Sequence, residues 1–361
     1  MKIFIFGAKS IAIGICNAVR ILQPEIHIIG FLVTSLIDNP QELEGLPVRE
    51  LKEVAKKLDK EEKQRVCVYI AVPEMLHKEI IESLNKCGFE NYKPINSKTE
   101  SDWMEQYYKR LDKFPSLHGL PMGEKKAVLS VYAAQFYKDK VLKHPPKFPD
   151  YVSSLLLGCE GNQYGELEER TDFCDNWGVH ISNRNPDYCE MTAFYWVWKN
   201  RLSALRTSDY VGICHYRRVL EITEADRYKL LANHVDVVLP FPMLHRPNIR
   251  EHHSRYMSEE EWQIMLWALQ ELYPDYATAY ENIFSESYLY NYNLLLARKE
   301  IFTEYCAWVF PLLFRTEELC ISHGVKRTGR YLAYMSESLL SLYFLYHKEL
   351  KIYHTGRLLF T

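Results

Sequence analysis

Short apolar runs alternate with amphipathic helical segments through the first 96 residues, and this alternation restricts the fold more than any other feature. The predicted strands are KIFIFG, IHIIGFLVTS, VCVYIAV and NYKPI. Strands that alternate with helices form a parallel sheet through right-handed crossovers. The last predicted helix illustrates the pattern, since Pro73 stands at its start and Gly88 near its end. Residues 1–96 are therefore predicted to form a small Rossmann-like α/β domain.

The first turn of this domain, GAKSIAIG, lacks the glycine fingerprint of a dinucleotide site. Gly7 and Gly14 are present, but the GxGxxG pattern is not, and no acidic residue ends the second strand. The motif therefore does not support a dinucleotide cofactor. Two interpretations of the turn remain, a phosphate seat on the N-terminus of the following helix or a purely structural turn.

A polar stretch separates this unit from a second alternation of strands and helices. Residues 97–125 contain one predicted helix followed by Pro and Gly residues, and we interpret them as a linker. Residues 126–361 predict a second α/β domain. Its predicted strands are AVLSVYAAQ, YVSSLLLG, DYVGICHYRR, HVDVVLPFP and LKIYHTG.

Composition excludes several classes of protein. A formal net charge of −3 argues against a protein that coats nucleic acid, so we expect no nucleic-acid partner. The nine Cys residues show no CxxC pair or finger-type spacing, which predicts neither a zinc site nor a disulfide framework. Without a signal-type leader or a run of about eighteen apolar residues, the chain is expected to be cytoplasmic. Peripheral contact with the inner face of the cytoplasmic membrane stays open.

Four polar side chains directly follow the apolar strand over residues 210–214: His215, Tyr216, Arg217 and Arg218. Ligands of open α/β sheets bind beyond the carboxyl ends of the strands, where these residues stand. A guanidinium group is a rigid fork suited to phosphate oxygens, and two adjacent groups can grip a diphosphate from two sides. One interpretation is therefore an anion site, most directly for the pyrophosphate of a nucleotide.

The alternative interpretation of Arg217 and Arg218 is structural. Buried guanidinium groups are costly without anions, and carboxylates of the chain itself can supply them. Glu190 and Glu337 are the candidates for such a lattice of arginines and carboxylates. Residue chemistry alone leaves the two interpretations equal.

Two further stretches carry polar groups with alternative interpretations. The sequence NYN at 291–293 fits either hydrogen bonding to sugar hydroxyls or an ordinary turn. Glu337 lies in the otherwise apolar helix YMSESLLSLYF, where it is either a general base on an inward face or a solvated carboxylate. Aromatic residues, 14% of the chain, fit either a carbohydrate site or an aromatic-rich core. The sequence contains no DxD, HExxH or P-loop motif.

Four ordered motifs carry a resemblance to a known family. They are ISNRNPDYCEMTAFYWVWKN, DYVGICHYRR, YNYNLLLARKEIFTEYCAWVFPLLF and RYLAYMSESLL. Residues 127–361, which contain these motifs, resemble bacterial capsular and exopolysaccharide glycosyltransferases long catalogued only as a domain of unknown function, number 4422. The resemblance implies a GT-A-like nucleotide-sugar fold.

The resemblance also implies an activity. It is transfer of a hexose, with galactose or galactofuranose as the candidate, from a UDP-sugar to a lipid-linked oligosaccharide in capsular, exopolysaccharide or lipopolysaccharide biosynthesis. Arg217 and Arg218 would stabilise the leaving diphosphate and Glu337 would be the catalytic base. The residues implied to bind donor and sugar are Asn183, Asn185, Glu190, Thr192, Tyr195, Trp196, Gly212, His215, Tyr216, Tyr292, Asn293 and Arg330.

The resemblance raises the question of a metal, because GT-A enzymes hold the donor diphosphate through a divalent cation on a DxD motif. Here His215, Tyr216 and Arg217 stand at that position. Our hypothesis is that the arginines supply the positive charge directly. No cofactor is expected with certainty, and Mn²⁺ or Mg²⁺ remains an alternative.

The first domain resembles the nucleotide-sugar-binding Rossmann domain that precedes the catalytic part of some sugar acyltransferases. The segments GFLVTS, GLPV and IAVPEMLHKEIIESLNKCGF carry this looser likeness. Two rival functions follow from it, a nucleotide-sugar-modifying enzyme and a regulatory protein that binds nucleotide sugars through this domain.

Overall fold

The computed structural model describes residues 1–161 and 171–360, which form a mixed α/β fold as predicted. The strands are β1 (Lys2–Phe6), β2 (His27–Val33), β3 (Glu42–Leu43), β4 (Leu46–Glu50), β5 (Val66–Ile70), β6 (Tyr92–Pro94), β7 (Leu129–Phe136), β8 (Val152–Leu157), β9 (Phe173–Cys174), β10 (Tyr210–His215), β11 (Arg218–Leu220), β12 (Val237–Pro240), β13 (Met243–Leu244), β14 (Tyr288–Leu289), β15 (Leu295–Arg298), β16 (Ile352–Thr355) and β17 (Arg357–Leu359). The helices are α1 (Ser10–Leu22), α2 (Leu51–Lys57), α3 (Lys60–Arg65), α4 (His77–Lys86), α5 (Ser97–Arg110), α6 (Asn185–Tyr188), α7 (Met191–Asn200), α8 (Glu224–Ala232), α9 (Ile249–His252), α10 (Glu259–Leu272), α11 (Pro274–Phe284), α12 (Lys299–Ser322) and α13 (Tyr331–Tyr346). Short 3₁₀ helices cover Glu74–Leu76, Ser182–Arg184 and His253–Arg255.

The first sheet has the strand order β3-β4-β2-β1-β5-β6, and its paired strands run parallel except β3 and β4. The central strands β1 and β5 are almost entirely buried, because helices cover both faces of the sheet. Gly7 ends β1 with a φ of +123°, and a Cβ there would lie 2.6 Å from the carbonyl oxygen of Ala71. Backbone conformation and close packing therefore explain this glycine without a ligand.

The charged segment VRELKEVAKKLDKEEKQ, whose amphipathic pattern predicts one helix, forms the two helices α2 and α3. The chain is extended at Leu58, and Asp59 then caps α3 by accepting a hydrogen bond from the backbone N–H of Glu62, whose carboxylate bonds back to the Asp59 N–H. This reciprocal capping box starts a new helix where the sequence pattern continues. Periodicity alone cannot detect the division.

The second sheet has the order β16-β12-β15-β10-β7-β8-β9, and β11 and β17 extend from β10 beside this path. The buried strand β10 lies near its centre, parallel to β7 and antiparallel to β15. The largest apolar cluster packs α7, α10, α12 and α13 on one face of the sheet, and a second cluster that includes α8 residues covers the other. The ends of β7 and β10 are consequently fixed by the core on both sides.

Gly212 belongs to this packing and not to a ligand site. A Cβ at this position would lie 2.7 Å from the carbonyl oxygen of Leu295 on β15. The residue thus allows two backbones to approach in the interior of the sheet. The close approach at Gly212 is therefore between the backbones of β10 and β15, and this corrects the expectation that Gly212 contacts a ligand.

The helix of the predicted linker packs closely on the first sheet. Met104 and Tyr108 of α5 are buried against α1, and the Tyr108 hydroxyl donates to the carbonyl of Pro242 at 2.7 Å. This helix therefore contacts segments on both sides of it in the sequence. The boundaries at residues 96 and 126 stay a prediction. No helix within the described residues has the length and apolar character needed to span a membrane.

Candidate functional site

A cavity of about 580 Å³ lies at the carboxyl ends of β7 and β10, at the edge where the strand rule predicts a ligand. It is lined by nine of the predicted site residues: Asn185, Glu190, His215, Tyr216, Arg217, Arg218, Tyr292, Arg330 and Glu337. It is also lined by Ser10, Ala134, Phe136, Lys138, Asp139, Leu157, Pro186, Cys189, His245, Tyr256, Asn291 and Tyr334. Residues from all four sequence motifs meet here although they are far apart along the chain.

Two of the remaining predicted residues lie directly behind the cavity wall. Asn293 is fully buried, and its amide donates to the Glu190 carboxylate at 2.8 Å and to the Ser336 hydroxyl at 2.9 Å. The Thr192 hydroxyl accepts a hydrogen bond from the Asn185 amide at 3.1 Å. The structure therefore corrects the expectation of direct ligand contact, because both residues instead orient side chains that do line the cavity.

Trp196, Tyr195 and Asn183 lie away from the cavity, which corrects their predicted positions beside a donor. Trp196 is fully buried in the core, with its indole N–H donating to the carbonyl of Trp177 at 3.1 Å. Tyr195 packs edge-on against Phe310 of α12, with ring centroids 4.9 Å apart, and Asn183 is exposed. The motif that contains them has a core face and a solvent face, as any short helical segment does.

Among the described residues, four of the nine non-glycine residues with positive φ lie where the motifs meet the cavity. Cys189, Tyr292, Asn293 and Arg330 have φ values of +45°, +73°, +47° and +68°, in the left-handed region that favours glycine. Such a conformation costs non-glycine residues about 1–3 kcal/mol each. The sequence pattern predicts one helix beginning at Pro186 and continuing to residue 200. The positive φ of Cys189 instead separates α6 from α7, and Glu190, the next residue, lines the cavity. Strain of this kind clusters at functional sites because surrounding packing must enforce it.

Arg217 and Arg218 contribute positive charge that the described carboxylates do not pair. Within residues 1–161 and 171–360, neither guanidinium forms an ion pair, and the guanidinium carbon of Arg218 lies 4.3 Å from the ring centroid of Tyr292. Burial lowers the pKa of Arg218, and Arg217 and Arg357 lower it further, because nearby cations disfavour another positive charge. An anion bound here would relieve both penalties.

The carboxylates proposed for an arginine lattice have other partners. Glu190 accepts the hydrogen bond from Asn293, and Glu337 accepts a long one, 3.4 Å, from the amide of Asn291. Of the two interpretations of the arginines, this geometry favours the anion site.

Glu337 has the properties of a group that exchanges protons near neutral pH. Burial raises the pKa of its carboxyl from an ordinary value of 4.5 to about 7, and the negative charge of Glu190 acts in the same direction. The backbone of Tyr292, the amide of Asn291 and the charge of Arg218 partly oppose this shift. A carboxylate with such a pKa is suited to general base catalysis.

His215 and Tyr216 present polar atoms that lack partners. The Nε2 atom of His215 and the hydroxyl of Tyr216 are buried and bond to nothing within the described residues. Burial lowers the pKa of His215, so its ring is neutral at pH 7. Because native proteins rarely leave buried polar atoms unpaired, these two atoms point to a ligand or water in the cavity.

The donor set at the end of β10 does not suit a hard divalent cation. Mg²⁺ and Mn²⁺ prefer carboxylate and carbonyl oxygens, whereas the residues here are a neutral His, a Tyr and two cations. The described residues contain no group of three or more His, Cys, Asp and Glu side chains placed to hold a metal.

Several cavity residues were not predicted from the sequence. Asn291 lines the cavity in place of Asn293, because the left-handed turn at Tyr292 reverses which neighbour faces it. His245 follows the apolar strand HVDVVLPFP, and its Nε2 lies 3.2 Å from the Asn291 Oδ1, so the strand-end rule could have found it. Tyr256 is 39% exposed and stacks on Tyr334 with centroids 4.6 Å apart, a contact that no sequence pattern signals.

Comparison with known proteins places the chain in a family. The model for the family described as "Domain of unknown function (DUF4422)" matches residues 147–349, more than half of the chain. The chain belongs to this family. The recognition from sequence motifs is confirmed at this level.

Solved structures add a likeness in fold. The apo structure of the WbbM bifunctional glycosyltransferase matches with a TM-score of 0.51 and 25% sequence identity. The match covers 64% of this chain and 45% of that chain, so less than half of WbbM is represented. A Rex-family repressor, RSP, matches with 12% identity over 26% of this chain and 44% of the repressor chain. Its TM-score of 0.23 is too low to indicate a shared fold. No curated protein matches the chain.

The raised pKa of Glu337 predicts a specific pH dependence of stability. The folded protein binds this proton more tightly than the unfolded chain, so its free energy of unfolding falls as pH rises from 4.5 to about 7. The loss is about 3 kcal/mol at most. Glu337→Gln lacks this titration, so its stability relative to wild type should rise by that amount between pH 4.5 and 8. Urea unfolding at a series of pH values measures the difference, and a difference independent of pH would contradict the assignment.

Proposed function

We propose that the protein is a glycosyltransferase that moves a hexose, with galactose or galactofuranose as the candidate, from a UDP-sugar to a lipid-linked oligosaccharide. The pathway proposed is capsular, exopolysaccharide or lipopolysaccharide assembly. The observation that carries the proposal is one cavity in which Arg217 and Arg218, without an ion pair among residues 1–161 and 171–360, lie beside a carboxyl, Glu337, whose pKa is about 7. The likeness to WbbM, a glycosyltransferase, supports the same reaction class.

The arginines would act on the leaving group. As the bond from the anomeric carbon to the diphosphate oxygen breaks, its electron pair adds negative charge to that oxygen. Guanidinium groups already fixed at the end of β10 stabilise this charge without reorganising, which lowers the barrier to transfer. Tyr292 packs on Arg218 and helps to fix it, since the cation–π contact is partly buried.

Glu337 would act on the acceptor. An acceptor hydroxyl attacks the anomeric carbon, its oxygen forms the new glycosidic bond, and its proton passes to the Glu337 carboxylate. The amide of Asn291 and the backbone of Tyr292 hold this carboxylate in place. Arg217 and Arg218 would stabilise the leaving diphosphate in direct displacement and in front-side return alike. Glu337 would take the acceptor proton in direct displacement, whereas in front-side return the leaving diphosphate oxygen would take it.

The partners follow from the proposed reaction. A lipid-linked acceptor resides in a bilayer, so the protein would meet it by peripheral association with the inner face of the cytoplasmic membrane. The donor would be recognised through its diphosphate by Arg217 and Arg218. The unpartnered His215 Nε2 and Tyr216 hydroxyl would add hydrogen bonds to the donor from the same wall of the cavity.

Removing either arginine should weaken binding of the diphosphate. A hydrogen bond to a charged group contributes about 1.5–3 kcal/mol, so Arg217→Gln and Arg218→Gln should each weaken UDP binding about 10- to 100-fold. Isothermal titration calorimetry measures these affinities. Arg206→Gln, a substitution of an exposed arginine outside the cavity lining, is the matched control and should bind like wild type.

The same titrations test whether arginine replaces a metal. UDP affinity and transfer should be unchanged by a chelator. Loss of both with chelator and recovery with Mn²⁺ or Mg²⁺ would refute the direct arginine clamp.

Glu337→Gln should separate donor binding from transfer. The amide keeps the shape of the side chain but cannot accept a proton, so transfer should fall about 10²- to 10⁴-fold while UDP affinity stays within threefold. Glu260→Gln on the exposed surface of α10 is the control. Activity is measured with a panel of nucleotide sugars and oligosaccharide acceptors. Unchanged transfer would exclude Glu337 as the base, and donor binding by wild type without transfer to any acceptor would favour the regulatory binding protein.

A further inference from the structure

Arg357 lies next to the cavity, which Arg217, Arg218 and Arg330 line, and it is outside the segment that the family model matches. It begins β17, eight residues beyond residue 349. One of its terminal nitrogens lies 3.2 Å from each carboxylate oxygen of Glu100 on α5. Both side chains are mostly buried, with 11% and 13% of their surface exposed. Arg357 therefore has a fixed anionic partner, unlike Arg217 and Arg218.

The free part of Arg357 contacts Tyr292. Its guanidinium carbon lies 5.0 Å from the ring centroid of Tyr292, which is also the ring that Arg218 approaches to 4.3 Å. The backbone of Tyr292 interacts with the Glu337 carboxyl and with the ring of His215. Tyr292 thus contacts both Arg218, through its ring, and Glu337, through its backbone. Its backbone has a strained φ of +73°.

Backbone contacts hold Arg357 between α5 and the strand β11, which extends from the second sheet. Its N–H donates to the Ser101 hydroxyl at 3.0 Å, and that hydroxyl donates to its carbonyl at 3.1 Å. On its other side, β17 pairs with β11, with Arg218 opposite Leu359 and Leu220 opposite Arg357. The same strand therefore joins α5 to the strand that carries Arg218.

We propose that Arg357, anchored by Glu100, is a positioning residue that fixes the Tyr292 turn and, through it, Arg218 and the Glu337 carboxylate. The proposal rests on the proposed function for its activity readout. It assigns α5 a part in catalysis, because the anion that orients Arg357 comes from that helix. Arg357 itself does not line the cavity, so it acts through Tyr292 and not on the substrate.

A purely structural role for the pair makes a different prediction. Replacing both members of a buried ion pair leaves no uncompensated charge, whereas removing only one does. Glu100→Gln/Arg357→Gln should therefore fold like wild type. If the pair only supports the fold, its activity should be normal as well.

Arg357 also adds to the positive charge felt by Glu337. The polar and charged groups that face this carboxyl from neighbouring elements are Glu190, Arg218, Tyr256, Asn291, Tyr292 and Arg357. Removing one cation from this set favours the protonated form of Glu337. The midpoint of its titration should consequently move to higher pH in the double variant, an effect that a change in fold stability does not produce.

The test compares wild type, Glu100→Gln/Arg357→Gln and Arg357→Lys in the full chain. The double variant should keep its unfolding temperature, lose at least tenfold in kcat, and show the acid limb of its kcat–pH profile shifted upward. Arg357→Lys keeps the charge but lacks the planar group that stacks on Tyr292, so it should lose kcat without moving the limb. Glu271→Gln/Arg315→Gln, a surface pair with a nitrogen–oxygen distance of 3.0 Å, is the matched control.

An NMR titration of ¹³C-labelled glutamate carboxyls, with Glu337 assigned from the spectrum of Glu337→Gln, reports the same midpoint without any substrate. An upward shift in the double variant supports the action of Arg357 on the Glu337 carboxyl even if wild type transfers no sugar, an outcome that would refute the proposed function alone. A double variant with normal kcat and an unmoved midpoint overturns the inference. Should the double variant unfold, normal kcat in Arg357→Lys overturns it.

Discussion

The site depends on how the positive charge of Arg217 and Arg218, at the end of the buried central strand β10, is balanced. Neither guanidinium forms an ion pair with a carboxylate in the part of the chain that the structure describes. The core holds β10 on both faces, and Arg217 and Arg218, which follow its end, line the cavity. Their charge is only partly compensated by the ring of Tyr292, a contact worth about 1–2 kcal/mol when desolvated. In the proposed function, the diphosphate of the donor would supply the missing compensation.

The second requirement is a carboxyl that stays protonatable beside these cations. Cations alone would lower the pKa of Glu337, but burial and the neighbouring Glu190 raise it to about 7. Glu190 reaches this position because the chain breaks its helix at Cys189, and Asn293 then holds the carboxylate at 2.8 Å. Strained turns, buried amides and opposing charges thus set one proton affinity together. Burial and Glu190 raise the pKa of Glu337, whereas the Tyr292 backbone, the Asn291 amide and Arg218 lower it.

Sequence reasoning named Arg217, Arg218 and Glu337, which the structure brings to one cavity, but it missed other residues of the cavity lining. Arg217, Arg218 and Glu337 were found because a polar run after an apolar strand and an acid in an apolar helix are local signals. Trp196 and Gly212 were misplaced because motif membership does not distinguish residues that contact ligand from those that pack the core. The choice of Asn293 over Asn291 failed because the left-handed turn at Tyr292 is set by tertiary packing.

The fold itself was more predictable than the site. Alternating strands and helices gave the mixed α/β fold, whereas the division of a charged helix at Asp59 depended on a single capping box. Arg357 is the clearest limit of prediction from sequence. Its partner Glu100 lies 257 residues away, and only the folded chain brings both to Tyr292. Glu100, in the N-terminal part of the chain, is therefore connected to Tyr292 at the site through Arg357, and neither Glu100 nor Arg357 belongs to a family motif.

The most direct measurement of the central claim is a crystal structure of the protein with UDP. We expect diphosphate oxygens within about 3 Å of guanidinium nitrogens of both Arg217 and Arg218. A nucleotide bound elsewhere, with these two side chains turned to carboxylates of the protein, would contradict the claim.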